Sequence, residues 1–355
     1  MLAPTKLLRR PPLYLLAVAL ALALSPCLAA ASAPTQYVDG ISDQSLPTWD
    51  SSFASSSFAS FFRSVWVGQI TLARYVLQWN AMSEASTTAS PNGDYRERFE
   101  AWLQDVRSLG LTPVVALTSY TNVYPSSEGE YQQALEALLD DAAGEHDPLG
   151  YVEAWNEPND QGAQAAAKAG EIANWANASC ERRNCQVIAG DFQDSPSALD
   201  YELQYIRALT FTPSIWGLHP YRAVNTHRDT ALLQMVHALP AHGAGAQLWF
   251  TEVGAYYCAH GRVLGEAAQA SDASYLLDVL IPALAPAHIF YYGFMAGESA
   301  EVPCVGASGY DSELYRASHQ PRGAAGVILA ANAYPPLILS SPPGEQLSAL
   351  TGAAR

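Results

Sequence analysis

Residues Tyr151–Asp160 read YVEAWNEPND, and this stretch decides the fold. Tyr151 to Trp155 is a short apolar run interrupted only by Glu153, the pattern of a strand buried on both faces of a parallel sheet. Pro158 ends such a strand, because it has no N–H to donate and keeps the residue before it extended. Glu157 is therefore expected at the C-terminal lip of a strand, which is where a (β/α)8 barrel keeps its chemistry. A lone Glu-Pro at a strand end reads more readily as an ordinary loop glutamate. The functional reading gains weight from Trp155-Asn156 just before it and from a second strand-end glutamate, Glu252, downstream.

Outward from this strand, apolar runs of strand length alternate with helical stretches, the signature of βα units. The runs preceding it are Tyr37–Ile41, Leu72–Trp79 and Pro113–Leu117, with helices expected from Ser51, over Tyr95–Leu109 and over Gln132–Asp141. Gly110 is placed to cap the second of these helices. After the central strand come Val187–Gly190, Ile215–His219, Gln247–Glu252 and His288–Gly293. The helices among them are expected over Ala163–Ala178, Leu199–Leu209, Leu232–Leu239 and Ala267–Leu284, and Gly323–Ala330 closes the eighth unit. The fold class is thus α/β, a single-domain TIM barrel spanning 34–333. No repeat of solenoid length and no linker to a second module is visible.

The ends read differently. Lys6, Arg9 and Arg10 precede an apolar segment from Leu13 to Leu24, and small residues follow at Ala29–Ala33. That is the layout of a cleaved secretory signal over 1–33, too short in its apolar part to span a bilayer comfortably. A secreted, extracellular protein is expected. From Tyr334 to Arg355 the chain is rich in Pro, Ser and Gly and reads as a disordered tail.

The formal charge is −16, and loss of the three signal cations makes the remainder more acidic still. Such an excess repels phosphate backbones and anionic lipid, so nucleic acid and membrane surfaces are not expected partners. It suits a neutral ligand without naming one, and the sequence does not set the oligomeric state. Cys180, Cys185, Cys258 and Cys304 remain after the signal. An even count in an exported chain points to disulfides, and three pairings are possible. Cys180–Cys185, closing a small loop before a strand, and Cys258–Cys304, joining two loops at one barrel mouth, are favoured. The spacing for a zinc site is missing: there is no Cys-x-x-Cys and no His-Glu-x-x-His. Neither a Gly-x-Ser-x-Gly elbow nor a glycine-rich phosphate loop is present, which removes the main motif of an esterase and of a nucleotide enzyme. No metal or cofactor is implied.

With Asn156-Glu157-Pro158 closing the fourth strand and Glu252 closing the seventh, the chain resembles the clan A glycoside hydrolases, with features like those of families 5 and 39. The resemblance implies that Glu157 is the general acid/base and Glu252 the nucleophile of a retaining enzyme acting on carbohydrate. Two carboxylates of opposite protonation state are what glycoside hydrolysis by double displacement requires. It further implies that Arg74 on the second strand contacts the nucleophile, that Asn156 binds a sugar 2-hydroxyl, and that His219 faces substrate while Tyr221 hydrogen-bonds Glu252. Period-two alternation would put His219 and Tyr221 on one side if the strand ran through Pro220. Arg74 has a competing reading as a buried ion pair with Glu153.

Among the aromatics near the mouth, Trp79, Tyr256 and Tyr292 are expected as sugar platforms, and Trp155 and Phe290 as core. The resemblance implies a Trp ending the eighth strand, yet Phe290-Tyr291-Tyr292-Gly293-Phe294 has none. Asp39, Asp43, Asp191, Asp194, Glu298 and Glu301 lie near other strand ends and read mainly as solvated loop acids. The alternatives to a retaining hydrolase are an inverting one and a non-catalytic carbohydrate- or cell-wall-binding barrel.

Overall fold

The structure, a computed structural model, describes residues 38–43, 62, 65–66, 68–83, 95–120, 123–144, 148–160, 165–295, 310–316 and 318–333. The expected signal, the helix from Ser51, the tail, Cys304, Glu298 and Glu301 lie outside them.

Eight parallel strands close into a barrel. In chain order they are β1 (Gly40–Ser42), β2 (Leu72–Gln78), β3 (Thr112–Thr118), β4 (Tyr151–Glu153), β5 (Gln186–Gln193), β6 (Ile215–His219) and β7 (Gln247–Val253), closed by β10 (His288–Tyr292). Their burial explains the unbroken apolar runs: every residue of β2 and β6 is buried. Two short strands, β8 (Cys258–Ala259) and β9 (Arg262–Val263), follow β7 and pair antiparallel with each other, and β8 pairs antiparallel with β11 (Tyr310–Asp311) on its other edge, forming a small separate sheet with no counterpart in the sequence reading. Helices follow the strands as expected, with longer bounds in places, for example Glu128–Gly144 and Ala166–Arg183. The last-but-one helix begins at Glu266 and runs through a π-helical stretch, Leu276–Leu280, to Leu284.

The lower barrel interior is an apolar plug of Leu72, Val114, Ile188, Ile215, Trp249 and Phe290. Gly40 is needed there, since a Cβ at that position would sit 2.5 Å from the Phe290 ring. One period above the plug the inward positions turn polar: Arg74 follows Leu72 on β2, and Glu153 follows Tyr151 on β4. The plug thus forms a dry floor beneath a polar upper barrel.

Two irregularities set what faces that upper space. Along β5 and β6, Gly190 pairs with Gly217 but Phe192 pairs with Leu218, so Asp191 is an extra residue on β5. Along β7 and β10, Phe250 pairs with Ile289 and Val253 with Tyr291, so β7 carries one residue more than its partner around Thr251-Glu252. Such bulges re-aim side chains, and here each lies at a carboxylate.

The disulfide Cys180–Cys185 is present, with Cα atoms 4.6 Å apart. It ties the end of the helix Ala166–Arg183 to the start of β5, across an Asn184 in the left-handed conformation (φ 58°). Asn tolerates that conformation better than most residues.

Candidate active site

Arg74 is fully buried and binds more partners than any simple ion pair requires. Its Nε donates to both oxygens of Glu153 at 2.8 and 2.9 Å, and its Nη2 donates to Glu153 Oε2 at 2.6 Å. Nη2 also donates to Asn156 Oδ1 at 2.7 Å and Asp191 Oδ2 at 2.9 Å. Nη1 donates to Glu252 Oε2 at 2.6 Å and to Ser42 Oγ at 3.0 Å. The two readings of this arginine are therefore both realised, as ion pair with Glu153 and as contact with Glu252. Burial works against its charge, but the carboxylates of Glu153, Asp191 and Glu252 outweigh it and hold the guanidinium firmly protonated.

Glu157 leaves β4 with a backbone φ of 42°, in the left-handed region that a non-glycine residue adopts at a cost of about 1–3 kcal/mol. The turn is held by neighbours on both sides. The Asn156 N–H donates to the Leu117 carbonyl at 2.7 Å, and the Glu157 N–H to the Asp191 carbonyl at 3.2 Å. β4 itself ends at Glu153, two residues earlier than the apolar run suggested, and the chain reaches Glu157 through bends. Glu157 Oε1 lies 2.8 Å from His219 Nδ1 and accepts from the Gln193 side-chain amide at 3.2 Å.

Glu252 Oε1 accepts the Tyr221 hydroxyl at 2.7 Å. Burial raises Glu252 above the usual carboxylate range on balance, with Glu157 adding to the rise, while His219, Arg74 and the Tyr221 hydrogen bond pull against it. An oxygen of Glu157, an oxygen of Glu252 and a ring nitrogen of His219 all lie within 4.8 Å of one another. The side chains of Glu157 and Glu252 keep only 6% and 5% of their surface exposed, so both carboxyls sit in a nearly dry recess.

His219 is displaced from its expected role. It is 0% exposed, and its second nitrogen, Nε2, lies 2.9 Å from Asp191 Oδ1. Both ring nitrogens are engaged by carboxylates, so the ring is buried beneath the glutamates and has no open edge for a substrate. Burial alone would lower the imidazole, but Asp191, Glu252 and the two hydrogen bonds hold it well above the ordinary histidine range.

Tyr221 does reach Glu252, though not by continuing β6. The strand stops at His219, Pro220 caps a short helix, Tyr221–Thr226, and the tyrosine swings in from its first turn. That helix begins on Asp194, whose oxygens accept the backbone N–H groups of Arg222 and Ala223, both at 2.7 Å. Burial raises Asp194 to about 7 even against those two amides.

Trp79 is corrected. It is 2% exposed, its indole N–H donates to the Val123 carbonyl at 2.7 Å, and its ring stacks 6.5 Å from Tyr131 on the helix Glu128–Gly144. It is a core residue outside the barrel wall. Trp155 and Phe290 are core as expected. Tyr256 and Tyr292 do flank the mouth, and both rings contact Tyr221, at 5.9 and 6.3 Å.

Tyr310, on β11, joins the same group, 5.5 Å from the Tyr256 ring and 6.2 Å from the Tyr292 ring. Nothing in the sequence marked it, because it comes from a loop with no periodicity. Burial raises the phenols of Tyr256, Tyr292 and Tyr310, so all three are neutral.

Asp43, Asp191 and Asp194 are likewise not solvated loop acids: each is buried, and Asp43 accepts the Phe294 N–H at 2.7 Å. Asp39 is partly buried and pairs with His288 at 2.6 Å. Glu153 and Asp191 hydrogen-bond each other. Burial drives Glu153 well above the usual carboxylate range despite Arg74, with the charge of Asp191 adding to the rise. For Asp191 the penalty of burial is outweighed by His219 and Arg74, which hold it well below that range. The proton of this pair belongs to Glu153.

Two groupings bring three donor atoms close enough for a metal ion, Glu153–Asp191–His219 and Glu157–His219–Glu252. In both, the donors already have partners: the guanidinium of Arg74 lies against Glu153, Asp191 and Glu252, and both ring nitrogens of His219 are taken up by Glu157 and Asp191. A divalent ion would have to displace these contacts and compete with the Arg74 charge.

No protein-family model matches the sequence, and no curated protein matches it. Solved structures do resemble the barrel. A GH5_18 protein from Streptomyces cattleya aligns with a TM-score of 0.59 at 13% identity, over 87% of this chain and 82% of that one. A GH39 enzyme from Xanthomonas axonopodis pv. citri gives 0.59 at 14% identity, over 84% of this chain and 66% of that one. A GH30 endoxylanase from Clostridium papyrosolvens gives 0.54 at 14% identity, over 84% and 72%. This chain has their fold. At such identities the likeness extends to the architecture alone.

Proposed function

We propose that this protein is a secreted retaining glycoside hydrolase that cleaves O-glycosidic bonds of a poly- or oligosaccharide. The observation that carries the reading is the short approach of the Glu157 and Glu252 carboxylates, oxygens within 4.8 Å of one another at the barrel mouth. Retaining enzymes hold their carboxyl groups about 5–5.5 Å apart, whereas inverting ones leave about 6.5–9.5 Å for a water. The solved structures of like fold, an endoxylanase among them, agree with a carbohydrate substrate.

In this mechanism Glu252 attacks the anomeric carbon while Glu157 gives its proton to the leaving oxygen, forming a glycosyl-enzyme. Arg74 and Tyr221 favour the ionised form of Glu252 and aim it, and both hydrogen bonds weaken as its charge passes into the new bond. Glu157, now a carboxylate, takes a proton from water, whose oxygen releases the sugar and restores Glu252. Tyr256, Tyr292 and Tyr310 stand where a platform for the reacting sugar is needed, in place of the tryptophan that the eighth strand lacks.

The test is a screen of polysaccharides and aryl glycosides with the wild type beside Glu252→Ala. Activity present in the first and lost in the second supports the reading. A barrel that binds sugar but turns over none of them would be a carbohydrate-binding scaffold instead.

A further inference from the structure

Asp191 touches neither the mouth nor, in the mechanism above, the substrate, yet it joins the supports of both glutamates. Its Oδ2 accepts from Arg74, which holds Glu252. Its Oδ1 accepts from His219 Nε2 and from the Thr251 hydroxyl, and His219 Nδ1 holds Glu157. Its backbone carbonyl accepts the Glu157 N–H, at the strained turn itself. The place is made for it: Asp191 is the extra residue of the β5 bulge, with φ 59°. On the facing strand, a Cβ at Gly217 would lie 2.9 Å from Asp191 Oδ1 and 2.9 Å from Thr251 Oγ1.

We infer that Asp191 is a positioning residue that keeps His219 doubly protonated and thereby fixes which oxygen of Glu157 carries the acid proton. This rests on the glycosidase reading. A neutral His219 bonded to Asp191 through Nε2–H would present a bare Nδ1 to Glu157 Oε1, and Nδ1 would draw the acid proton inward onto that oxygen. An imidazolium instead donates from Nδ1, so Oε1 can only accept. The Gln193 amide donates to the same oxygen at 3.2 Å, which reinforces the assignment. The proton is then left on Oε2. It passes from Oε2 to the leaving oxygen in the first step and returns there from water in the second, while His219 keeps both its protons throughout. The groups acting on the imidazolium are Asp191, Glu157, Glu252 and Arg74, with the Tyr221 ring edge-on at 6.4 Å. The anions among them outnumber the single cation.

Two measurements decide it. Nitrogen NMR of histidine-labelled wild type should show His219 with both ring nitrogens protonated at neutral pH, and Asp191→Asn should return it to a neutral ring. A neutral His219 in the wild type, or an unchanged imidazolium in the variant, overturns the inference, whether or not the protein cleaves any glycoside.

The second readout is the leaving-group dependence across aryl glycosides. Asp191→Asn should lower kcat for poorly activated leaving groups about 10²-fold more than for dinitrophenyl glycosides, which need little protonation. An equal loss across the series would mean a structural role only and would also overturn it. If the wild type cleaves nothing, the glycosidase reading fails separately, and the ring's charge state still decides the role of Asp191.

Discussion

Arg74 Nη1 lies 2.6 Å from Glu252 Oε2, and the same guanidinium spans four further side chains on β1, β4 and β5 and at the lip after β4. A single buried cation thus aligns strands that come together only when the barrel closes. Arg74→Met should lower stability by about 3–5 kcal/mol, because it leaves buried carboxylates uncompensated. Arg74→Lys keeps a charge but not the planar fork, so it should lose much of the activity and recover only part of the stability. Thermal melts of the two variants, read beside their rates, check this. A fully stable Arg74→Met would mean the cluster does not need its cation.

Tyr221 offers a cleaner separation of chemistry from folding. Its hydroxyl donates to Glu252 Oε1 at 2.7 Å, while its ring packs among Tyr256, Tyr292 and Tyr310. Tyr221→Phe keeps the packing and deletes the hydrogen bond, which is worth about 1.5–3 kcal/mol for a charged acceptor. A fall in kcat/KM of about 10- to 100-fold with little change in Tm is expected. A variant as active as wild type would remove Tyr221 from the machinery.

Glu202 makes stability depend on pH. It is 0% exposed on the helix Ala198–Ala208, and neither carboxyl oxygen has a hydrogen-bond partner among the described residues. Burial raises it to about 9 from an ordinary 4.5. The folded protein therefore holds a proton that the unfolded chain has released over that interval. The contribution is full below about 4.5 and falls away as pH rises toward 9. Glu202→Gln, a neutral isostere, should melt near the wild type at pH 5 and above it, by several degrees, at pH 9. A Tm difference independent of pH would show that Glu202 does not titrate with folding.

The barrel was legible because its strands are apolar on both faces. β6 was read residue for residue as Ile215–His219, and the other strands were displaced by a few residues at their ends. The arrangement above the plug was less so, for reasons visible at particular positions. Trp249 and Thr251 alternate inward in the ordinary way, and a period of two would turn Glu252 outward; the irregularity on β7 brings it in. The extra residue on β5 does the same for Asp191, which composition alone filed with the loop acids. His219 and Trp79 show the complementary limit. A histidine or tryptophan at a strand end has the same local pattern whether it faces the mouth or the core, and only the packed neighbours decide.

Cysteine oxidation is open to a direct count. Cys180–Cys185 is formed, and Cys258 is buried at the start of β8. Its expected partner, Cys304, lies outside the described residues. If both proposed pairs exist, the mature protein denatured without reductant should titrate no free thiols. Two free thiols would retain the first pair and rule out the second.

The roles of Glu157 and Glu252 can be told apart without knowing the sugar. Glu157→Ala removes the proton donor but leaves the nucleophile in place. Aryl glycosides with good leaving groups depart with little protonation, so the glycosyl-enzyme should still form and then wait, lacking a base to activate water. Azide needs no deprotonation and should restore turnover, giving a glycosyl azide of retained configuration, since it attacks the face that the aglycone left. Glu252→Ala has no nucleophile and can form no such intermediate. Azide acting in its place should attack the substrate directly from that side and give the inverted product. The 4.8 Å that brings the two carboxylates and His219 together makes both outcomes geometrically accessible from one bound sugar. Product configuration read by proton NMR decides the matter: an inverted azide product from Glu157→Ala with a retained one from Glu252→Ala would require exchanging the roles proposed for the two glutamates.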